Sequence, residues 1–344
     1  MRAGNRIADR YLVVSRRGGG SDGDVYHVID EHLSSEVALK LLAPKSGQPA
    51  TWDEAQILEQ LRSEYLLPVL NADVVPGSDL RYITTTLMTG GDLEKAALPR
   101  GVSPQQAVRW GQQLGHGLDR VHAAGLVHRD VKPANGFLDS GQAVLLGDLG
   151  MAAVMAPDGT APPDGTFATV APEVLGTAGR CSVRSDVYSL GATVFYLATG
   201  EYPVSHTQTR AEMAAQIIAG QRQKLRDLAP HVSVSLGRVI ERALSTDPAD
   251  RQPDALTLAN QLSGCSHHPR AWQRIAEHPG HLMCFQGEAT RTARPVAVCV
   301  AATSSRQAEI IVLNSAGRHL RRHEQQAVDL NRIGIVLRRL LPQI

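Results

Sequence analysis

The chain has 344 residues, of which 43% are hydrophobic and 20% charged, a globular composition with room for one large domain or two modest ones. No apolar run approaches the roughly 18 residues that a membrane-spanning helix needs, which excludes a transmembrane segment. The formal net charge of +1 hides an asymmetry, because residues 264–344 hold 11 arginines, no lysine and 5 acidic residues. This shift to a net charge of +6 predicts a domain boundary near residue 264.

The four cysteines lie far apart and contain no CxxC pair, at positions Cys181, Cys265, Cys284 and Cys299. They predict reduced thiols in a cytoplasmic protein and no zinc framework. A short cluster of His267 and His268 near Cys265 is an alternative metal site, although such a cluster in a linker more often binds nothing.

The first part of the chain has the pattern of short strands followed by helices. β-rich runs separated by turn residues predict an antiparallel sheet, at residues 11–14, 25–29 and 36–42. Apolar residues at helical spacing then predict helices, at residues 52–61, 107–122 and 187–197. A strand-rich lobe of about 80 residues is therefore expected to precede a larger helical lobe.

A glycine-rich segment lies between the first two predicted strands. Its pattern is G-x-G-x-x-G-x-V, formed by Gly18, Gly20, Gly23 and Val25. Glycines at this spacing let backbone amides approach phosphate oxygens, although a simple hairpin turn explains the pattern equally well. Lys40 follows in an apolar strand, where its ammonium needs a partner, and Glu54 on the next helix is the best candidate.

Three further motifs carry the strongest signal. Residues 128–135 read HRDVKPAN, which matches the catalytic-loop pattern H-R-D-x-x-x-x-N. Asp148 begins an Asp-Leu-Gly triplet after a predicted strand at 143–146, and Ala-Pro-Glu follows at 171–173. Chance does not produce all of these motifs in this order and at these spacings.

On these motifs the chain resembles the eukaryotic-like (Hanks-type) protein kinases, most closely the bacterial members, over roughly residues 9–262. The resemblance implies an α+β, two-lobed protein kinase fold in a domain at 9–263, with an N-lobe at about 9–86 and a C-lobe at about 87–263. A small basic α+β accessory domain is expected at 270–344. The resemblance also implies that Arg251 pairs with Glu173 and locks the large lobe.

The same resemblance assigns catalytic roles. Asp130 would accept the proton of the attacking hydroxyl, and Lys132 would neutralise the γ-phosphate as it moves. A lysine at that position is typical of serine/threonine kinases and disfavours a tyrosine kinase. Lys40 would hold the α- and β-phosphates of ATP and would itself be held by Glu54.

ATP and Mg²⁺ are the implied cofactors. Asn135 and Asp148 would bind Mg²⁺, because they supply hard oxygen ligands for a hard cation. The adenine would be enclosed by Val25, Ala38 and Phe137. The hinge would lie near residues 85–88, with Thr85 guarding the back of the pocket and Leu87 lining it.

The loop before Ala-Pro-Glu carries candidate regulatory sites. Arg129, beside the catalytic aspartate, is typical of kinases that anchor a phosphate on this loop. Thr166 aligns with a threonine that contacts the catalytic aspartate in the family, which leaves Thr160 as the preferred phosphorylation site. A merely solvated loop residue is the alternative for Thr160.

Some positions depart from the family pattern. Arg17 replaces a usual Leu or Ile, and Leu149 replaces Phe in the metal-binding triplet. Asp22 places a carboxylate at the tip of the glycine loop, which would weaken ATP binding unless it points to solvent. Gly136 is expected to loosen the catalytic loop. None of these changes removes a reacting group.

The last eighty residues belong to no recognised family. Strand-like runs at 281–285, 295–302 and 309–313 precede an amphipathic helix with Ile333, Val336, Leu337, Leu340 and Leu341 on one face. The simplest interpretation is an α+β module whose helix covers its own sheet. The alternative is a basic docking site for an acidic partner, a nucleic acid or a membrane surface. Trp272 and Phe285 are the only aromatics of the Phe, Trp and Tyr type here, which disfavours nucleic-acid binding by stacking.

The sequence therefore predicts a serine/threonine protein kinase that modifies a protein substrate. One rival is a pseudokinase, a nucleotide-sensing scaffold that presents its C-terminal module to a partner. It is disfavoured because all the reacting residues are present. A second rival is a small-molecule kinase of similar fold, which the Ala-Pro-Glu segment disfavours because that segment shapes a groove for peptides.

Overall fold

The computed structural model describes residues 1–20, 23–42, 61–177, 179–205, 209–265, 270–291 and 294–344. The expected α+β architecture is confirmed: a strand-rich N-terminal lobe precedes a helical lobe, and a second sheet with one helix ends the chain. Among the described residues, no helix combines the length and the apolar character needed to span a bilayer.

The N-terminal lobe is a six-stranded antiparallel sheet with strand order β1-β2-β3-β4-β6-β5. Its strands are β1 (Arg6–Ile7), β2 (Tyr11–Gly20), β3 (Gly23–Asp30), β4 (Ser35–Leu42), β5 (Val69–Val74) and β6 (Arg81–Thr86). Alternate residues of β3 and β4 are buried, as strand periodicity requires, and they pack with Tyr11 and Tyr82 in one apolar cluster. The three strands predicted from the sequence are confirmed, each somewhat longer than expected. Most of the helix predicted at 52–61, including Glu54, lies outside the described residues.

The helical lobe contains α1 (Leu93–Ala97), α2 (Pro104–Ala123), α3 (Val183–Thr199), α4 (Arg210–Ile218), α5 (Leu225–Leu228), α6 (Val234–Ala243) and α7 (Ala255–Ser263). The long helix α2 begins at a serine cap, where the Ser103 hydroxyl accepts from the Gln106 amide and Pro104 takes the first turn. Helix α3 is buried on nearly all sides, and it ends at Gly200 with φ 77°, a left-handed cap. These two helices form the centre of the lobe core.

One short strand precedes α1, and six more lie between α2 and α3. They are β7 (Gly91–Asp92), β8 (Leu126–Val127), β9 (Gly136–Leu138), β10 (Val144–Leu146), β11 (Ala153–Val154), β12 (Thr160–Ala161) and β13 (Cys181–Ser182). The hairpin of β9 and β10 pairs Gly136 with Leu146. Because β9 follows residues 128–135 and β10 precedes Asp148, this hairpin brings the two predicted motifs to the same place.

The last part of the chain, which we call the C-terminal module, is a five-stranded antiparallel meander and one helix. Its elements are β14 (Trp272–Ile275), β15 (His281–Gly287), β16 (Val296–Ala302), β17 (Gln307–Asn314), β18 (Gln325–Asp329) and α8 (Ile333–Leu340). Ile333, Leu337 and Leu340 pack in one apolar cluster with the sheet, so the predicted helix does cover its own sheet. Strands β14 and β18 were not predicted, because their residues are too polar to give a clear period of two.

Among the described residues, three contacts illustrate how the C-terminal module packs against the helical lobe. The Arg100 guanidinium donates to Glu277 Oε2 at 2.7 Å, and this hydrogen bond lowers the pKa of Glu277 to about 2. The rings of His231 and Phe285 lie 5.3 Å apart. Gly334 in α8 lies so close to α5 that a Cβ atom there would be 2.9 Å from the carbonyl oxygen of Arg226. An ion pair, a contact between two rings and a close approach of two helices therefore hold the module against the lobe.

Candidate active site

The buried carboxylate of Asp186 holds the backbone of the loop at residues 128–135. Asp186 accepts the backbone amide of His128 at 2.8 Å and that of Arg129 at 2.9 Å, and it lies 2.8 Å from Nε2 of His122. Its side chain is 1% exposed. Asp186 was not among the site residues predicted from the sequence. An acidic residue among the apolar positions of a buried helix is the signal that identifies such an anchor, because a buried charge needs partners.

Asp130 lies in the middle of a hydrogen-bonded cluster. The Thr166 hydroxyl donates to its Oδ1 at 2.6 Å, and Lys132 Nζ donates to its Oδ2 at 2.7 Å. Lys132 also donates to the Thr166 hydroxyl at 3.0 Å. The predicted contact between Thr166 and Asp130 is thus confirmed, and both carboxylate oxygens have fixed positions.

Asn135 joins this cluster from the end of the loop. Its amide nitrogen donates to the Asp130 carbonyl at 2.8 Å and to Asp130 Oδ2 at 3.1 Å. Asn135 is buried, with 4% of its surface exposed. Because both bonds use the nitrogen, the amide oxygen is the atom of this side chain that they leave for another partner.

Lys40 and Asp148 join the two lobes across the site. Lys40 Nζ donates to Asp148 Oδ1 at 2.8 Å, although 108 residues separate them in sequence. Asp148 has a left-handed backbone, with φ 58° and ψ 63°, which turns its side chain out of the preceding strand. The predicted partner of Lys40, Glu54, lies outside the described residues. Within the described residues, the structure brings Lys40 to Asp148, the predicted metal ligand.

The predicted glycine loop is a tight hairpin between β2 and β3. Gly18 pairs with Val25, and Gly20 pairs with Gly23. Gly23 has φ 132°, and a Cβ atom there would lie 2.1 Å from the carbonyl oxygen of Leu41, so only glycine fits. The tip at residues 21–22, including Asp22, lies outside the described residues.

The other predicted nucleotide-binding residues lie on β3, β4 and β6 of the N-terminal lobe, in the segment after β6, and on β9 of the helical lobe. Ala38 lies opposite Thr85 in the register of β4 and β6, and Val25 lies opposite Lys40 in that of β3 and β4. From the helical lobe, Phe137 packs against Gly147, where a Cβ atom would lie 3.0 Å from its ring. These side chains and that of Leu87 are all half-buried.

Gly136, which follows Asn135, is explained by packing. It has an extended backbone, with φ −97°, and lies between two side chains that are fully buried. A Cβ atom there would lie 2.6 Å from Leu93 Cδ1 and 3.2 Å from Leu114 Cδ2. The close approach of α1 and α2 therefore requires glycine. That Gly136 loosens the loop stays a prediction.

We expect Gly136→Ala to destabilise the protein by about 1–3 kcal/mol, since an added methyl would overpack a site between two fully buried leucines, Leu93 and Leu114. Chemical unfolding of the full chain measures the effect. The control is Gly237→Ala in α6, where the nearest atom to a new Cβ is 3.9 Å away. That change should stabilise the helix by roughly 0.5–1 kcal/mol. Equal effects of the two changes would contradict the packing argument.

We call residues 148–173 the activation segment. Arg129 reaches it by donating to the carbonyl oxygens of Met151 and Pro162, and its Nη1 lies 3.9 Å from Asp164 Oδ2. Thr160 donates its hydroxyl to Asp158 at 2.7 Å, and this bond lowers the pKa of the Asp158 carboxyl. Phosphorylation at Thr160 stays a prediction.

The end of the activation segment is fixed to the lobe core by an ion pair. Arg251 donates from both terminal nitrogens to the two carboxylate oxygens of Glu173, each at 2.7 Å. The Arg251 side chain is fully buried, with 0% exposed. The predicted pairing of these two residues is confirmed.

Comparison with known proteins agrees with this geometry. Residues 11–262 match the family described as protein kinase domain. The serine/threonine-protein kinase PknL of Mycobacterium tuberculosis is 31% identical over 268 residues, covering 74% of this chain and 65% of PknL. PknJ of the same organism is 30% identical over 266 residues, covering 73% of this chain and 44% of PknJ. The DNA damage-responsive serine/threonine-protein kinase RqkA of Deinococcus radiodurans is 29% identical over 264 residues, covering 73% of this chain and 39% of RqkA. The aligned part of the chain thus spans 65% or less of the length of these relatives.

Proposed function

Since the chain belongs to the protein kinase domain family, we propose that it is an active serine/threonine protein kinase, which transfers the γ-phosphoryl group of ATP to a hydroxyl of a protein substrate. One observation carries the proposal. Asp130 has one carboxylate oxygen bonded to Thr166 and the other to Lys132, so the groups that act on the hydroxyl and on the phosphate share one fixed cluster.

Phosphoryl transfer is mostly a matter of positioning and charge stabilisation, and the residues divide these tasks. Asp130 orients the attacking hydroxyl and accepts its proton. Lys132, 2.7 Å from that carboxylate, neutralises charge on the phosphoryl group as it moves. Lys40 binds the α- and β-phosphates, and we assign Glu54 the role of holding it there.

Family membership implies ATP and Mg²⁺, and the donor set suits the cation. Asp148 supplies a carboxylate, and Asn135 supplies an amide oxygen not used by the two bonds of its nitrogen. We propose these two residues as the Mg²⁺ ligands. The chemistry that Mg²⁺ supplies is neutralisation of the phosphate charge.

The proposed nucleotide site lies between the two lobes, where Lys40 contacts Asp148. The hairpin that contains Gly18, Gly20 and Gly23 would cover the phosphates with backbone amides. The adenine would lie between the half-buried apolar side chains of Val25, Ala38 and Phe137. The hinge near residues 85–88 would lie behind it, with Thr85 guarding the back of the pocket and Leu87 lining it.

The test is transfer of labelled phosphate. The purified full chain is incubated with Mg²⁺ and ATP labelled at the γ position, with and without a generic protein substrate, and the labelled residues are identified. Label on serine or threonine of the chain itself or of the substrate supports the proposal. Bound ATP without transfer would instead favour the scaffold function. Label on a small metabolite but never on protein would favour a small-molecule kinase.

Thr166 offers a finer prediction within the proposed function. Thr166→Val removes the 2.6 Å bond to the Asp130 carboxylate, and a charge-assisted bond of this kind contributes about 1.5–3 kcal/mol. We expect kcat to fall roughly 10- to 150-fold while KM for ATP stays unchanged. Thr166→Ser keeps the hydroxyl and should retain most of the activity. If serine and valine give the same loss, the hydroxyl is not what positions Asp130.

A further inference from the structure

Four side chains with metal-binding chemistry meet at one end of the C-terminal module, far from the proposed active site in sequence. They are His278, His281, Cys284 and Cys299, and one ligand atom from each lies within 4.8 Å of all the others. Both cysteines are fully buried, while His281 is half-buried and His278 exposed. The cluster plays no part in the proposed phosphoryl transfer.

The two histidines are brought together by a tight turn between β14 and β15. Residues 278–281 read His-Pro-Gly-His, and the His281 amide donates to the His278 carbonyl at 2.9 Å. Proline at the second position and Gly280 with φ 82° at the third are the features of a type II turn. The turn leaves the two imidazole rings 5.4 Å apart, edge to face.

The two cysteines are brought together by strand register. Cys284 in β15 lies directly opposite Cys299 in β16, so both thiols point to the same face of the sheet. The expectation that the cysteines give no zinc framework did not consider this pair. It relied on the missing CxxC spacing, whereas the pair is formed across strands by residues 15 positions apart.

Three of the six distances between ligand atoms in the cluster are close to those of a tetrahedral site, and all six are at most 4.8 Å. Cys284 Sγ lies 3.5 Å from His278 Nδ1 and 3.4 Å from His281 Nδ1, and Cys299 Sγ lies 3.4 Å from His278 Nδ1. Zinc bonds of about 2.3 Å to sulfur and about 2.0–2.1 Å to nitrogen require sulfur–nitrogen separations of about 3.6 Å in a tetrahedron. Three separations close to that value place the ligand atoms around one point.

We propose that the C-terminal module binds one Zn²⁺ through Cys284, Cys299, His278 and His281. Two thiolates and two imidazoles in a tetrahedron are the ligand set that favours zinc among the divalent metals of cells. Four protein ligands leave no open position, so the role is structural. The His278 amide donates to Cys284 Sγ at 3.5 Å, a bond of the kind that supports a ligating sulfur.

The proposed metal site lies next to a contact between the C-terminal module and the helical lobe. Glu277, adjacent to His278, forms the 2.7 Å ion pair with Arg100 of the helical lobe and a 3.1 Å ion pair with Arg274. A metal that fixes the turn also fixes the carboxylate next to it. Metal binding therefore stabilises the packing of the C-terminal module against the kinase lobe.

The test measures metal content and ligand chemistry directly. The untagged full chain is purified in reductant from cells supplied with zinc, and bound metals are quantified by elemental analysis. We expect about one zinc per chain. Reduced protein freed of metal and titrated with Co²⁺ should give the intense visible bands of tetrahedral cobalt and a thiolate charge-transfer band, saturating at one equivalent.

Variants identify the ligands. Cys284→Ser combined with Cys299→Ser should lose the zinc and the cobalt spectrum, and His281→Ala should weaken binding. The matched control is Cys181→Ser, since Cys181 is also a buried free cysteine and its thiol instead contacts the carbonyl of Asp164. That variant should keep one zinc. A variant that combines Cys265→Ser with changes of His267 and His268 removes the linker cluster. It should also keep one zinc.

Several results would overturn the proposal. One is wild-type protein that contains no zinc and gives no cobalt spectrum when reduced. Another is a Cys284–Cys299 disulfide, seen by mass spectrometry of the protein as isolated. Retention of zinc by the Cys284/Cys299 double variant, or its loss only when the linker cluster is changed, would also overturn it. Because the cobalt titration uses wild-type protein, a variant that fails to fold does not obscure the answer. None of these readouts depends on kinase activity.

Discussion

Asp130→Asn is expected to lower kcat by roughly 10²–10⁴-fold, the contribution typical of a positioned general base. Asparagine has nearly the shape of aspartate but only one side-chain oxygen. One of the bonds from Thr166 and Lys132 can therefore persist, while the other is lost. What it removes entirely is the ability to take up the proton of the attacking hydroxyl. The loss should therefore appear in kcat, with ATP binding preserved.

Initial rates of label transfer to protein, together with a separate titration of ATP binding, measure this prediction. Asp79→Asn is the matched control, because it makes the same chemical change at an exposed turn of the N-terminal lobe. That variant should keep wild-type rates. An Asp130→Asn protein that transfers phosphate at a wild-type rate would remove Asp130 from the reaction and point to another base.

The sequence predicted those parts of the site that depend on residues close together in the chain. The 128–135 loop places Asp130, Lys132 and Asn135 within eight positions, and these three form one hydrogen-bonded cluster. The hairpin of Gly18 to Val25 could also be predicted. Its Gly23 has φ 132°, a conformation that favours glycine, so the turn appears in the sequence as a glycine-rich segment. Residues that are close together in the chain are also close together in space, so their spacing in the sequence indicates how their side chains meet.

What the sequence did not reveal depends on contacts between distant segments. Asp186 anchors the loop backbone from 57 residues away, and its place on a largely apolar helix indicates only that its charge needs a partner, not which loop it binds. The pairing of Cys284 with Cys299 depends on the register of two strands, which periodicity alone does not determine. Neither feature could be predicted without the fold.

Arg251→Met is expected to destabilise the protein by about 3–5 kcal/mol, the range for breaking a buried ion pair by removing one partner. Methionine fills much of the same volume, so the cavity is small and the loss is mostly electrostatic. The arginine also donates to three carbonyl oxygens at 2.8–3.0 Å, those of Ser245, Arg184 and Thr246. These groups and the Glu173 carboxylate would lose their donors together.

The matched control for this prediction is Arg6→Met, because Arg6 also pairs with a glutamate, Glu31, at 2.8 Å, but with 53% of its side chain exposed. An exposed pair contributes about 0–1 kcal/mol, so urea unfolding should separate the two variants by several kcal/mol. Equal effects would mean that burial does not strengthen the Arg251 pair. Since Glu173 ends the activation segment, Arg251→Met should also speed proteolytic cleavage between Asp148 and Glu173, whereas Arg6→Met should not. The same ion pair would then account for both the stability of the lobe and the order of the segment that faces Asp130.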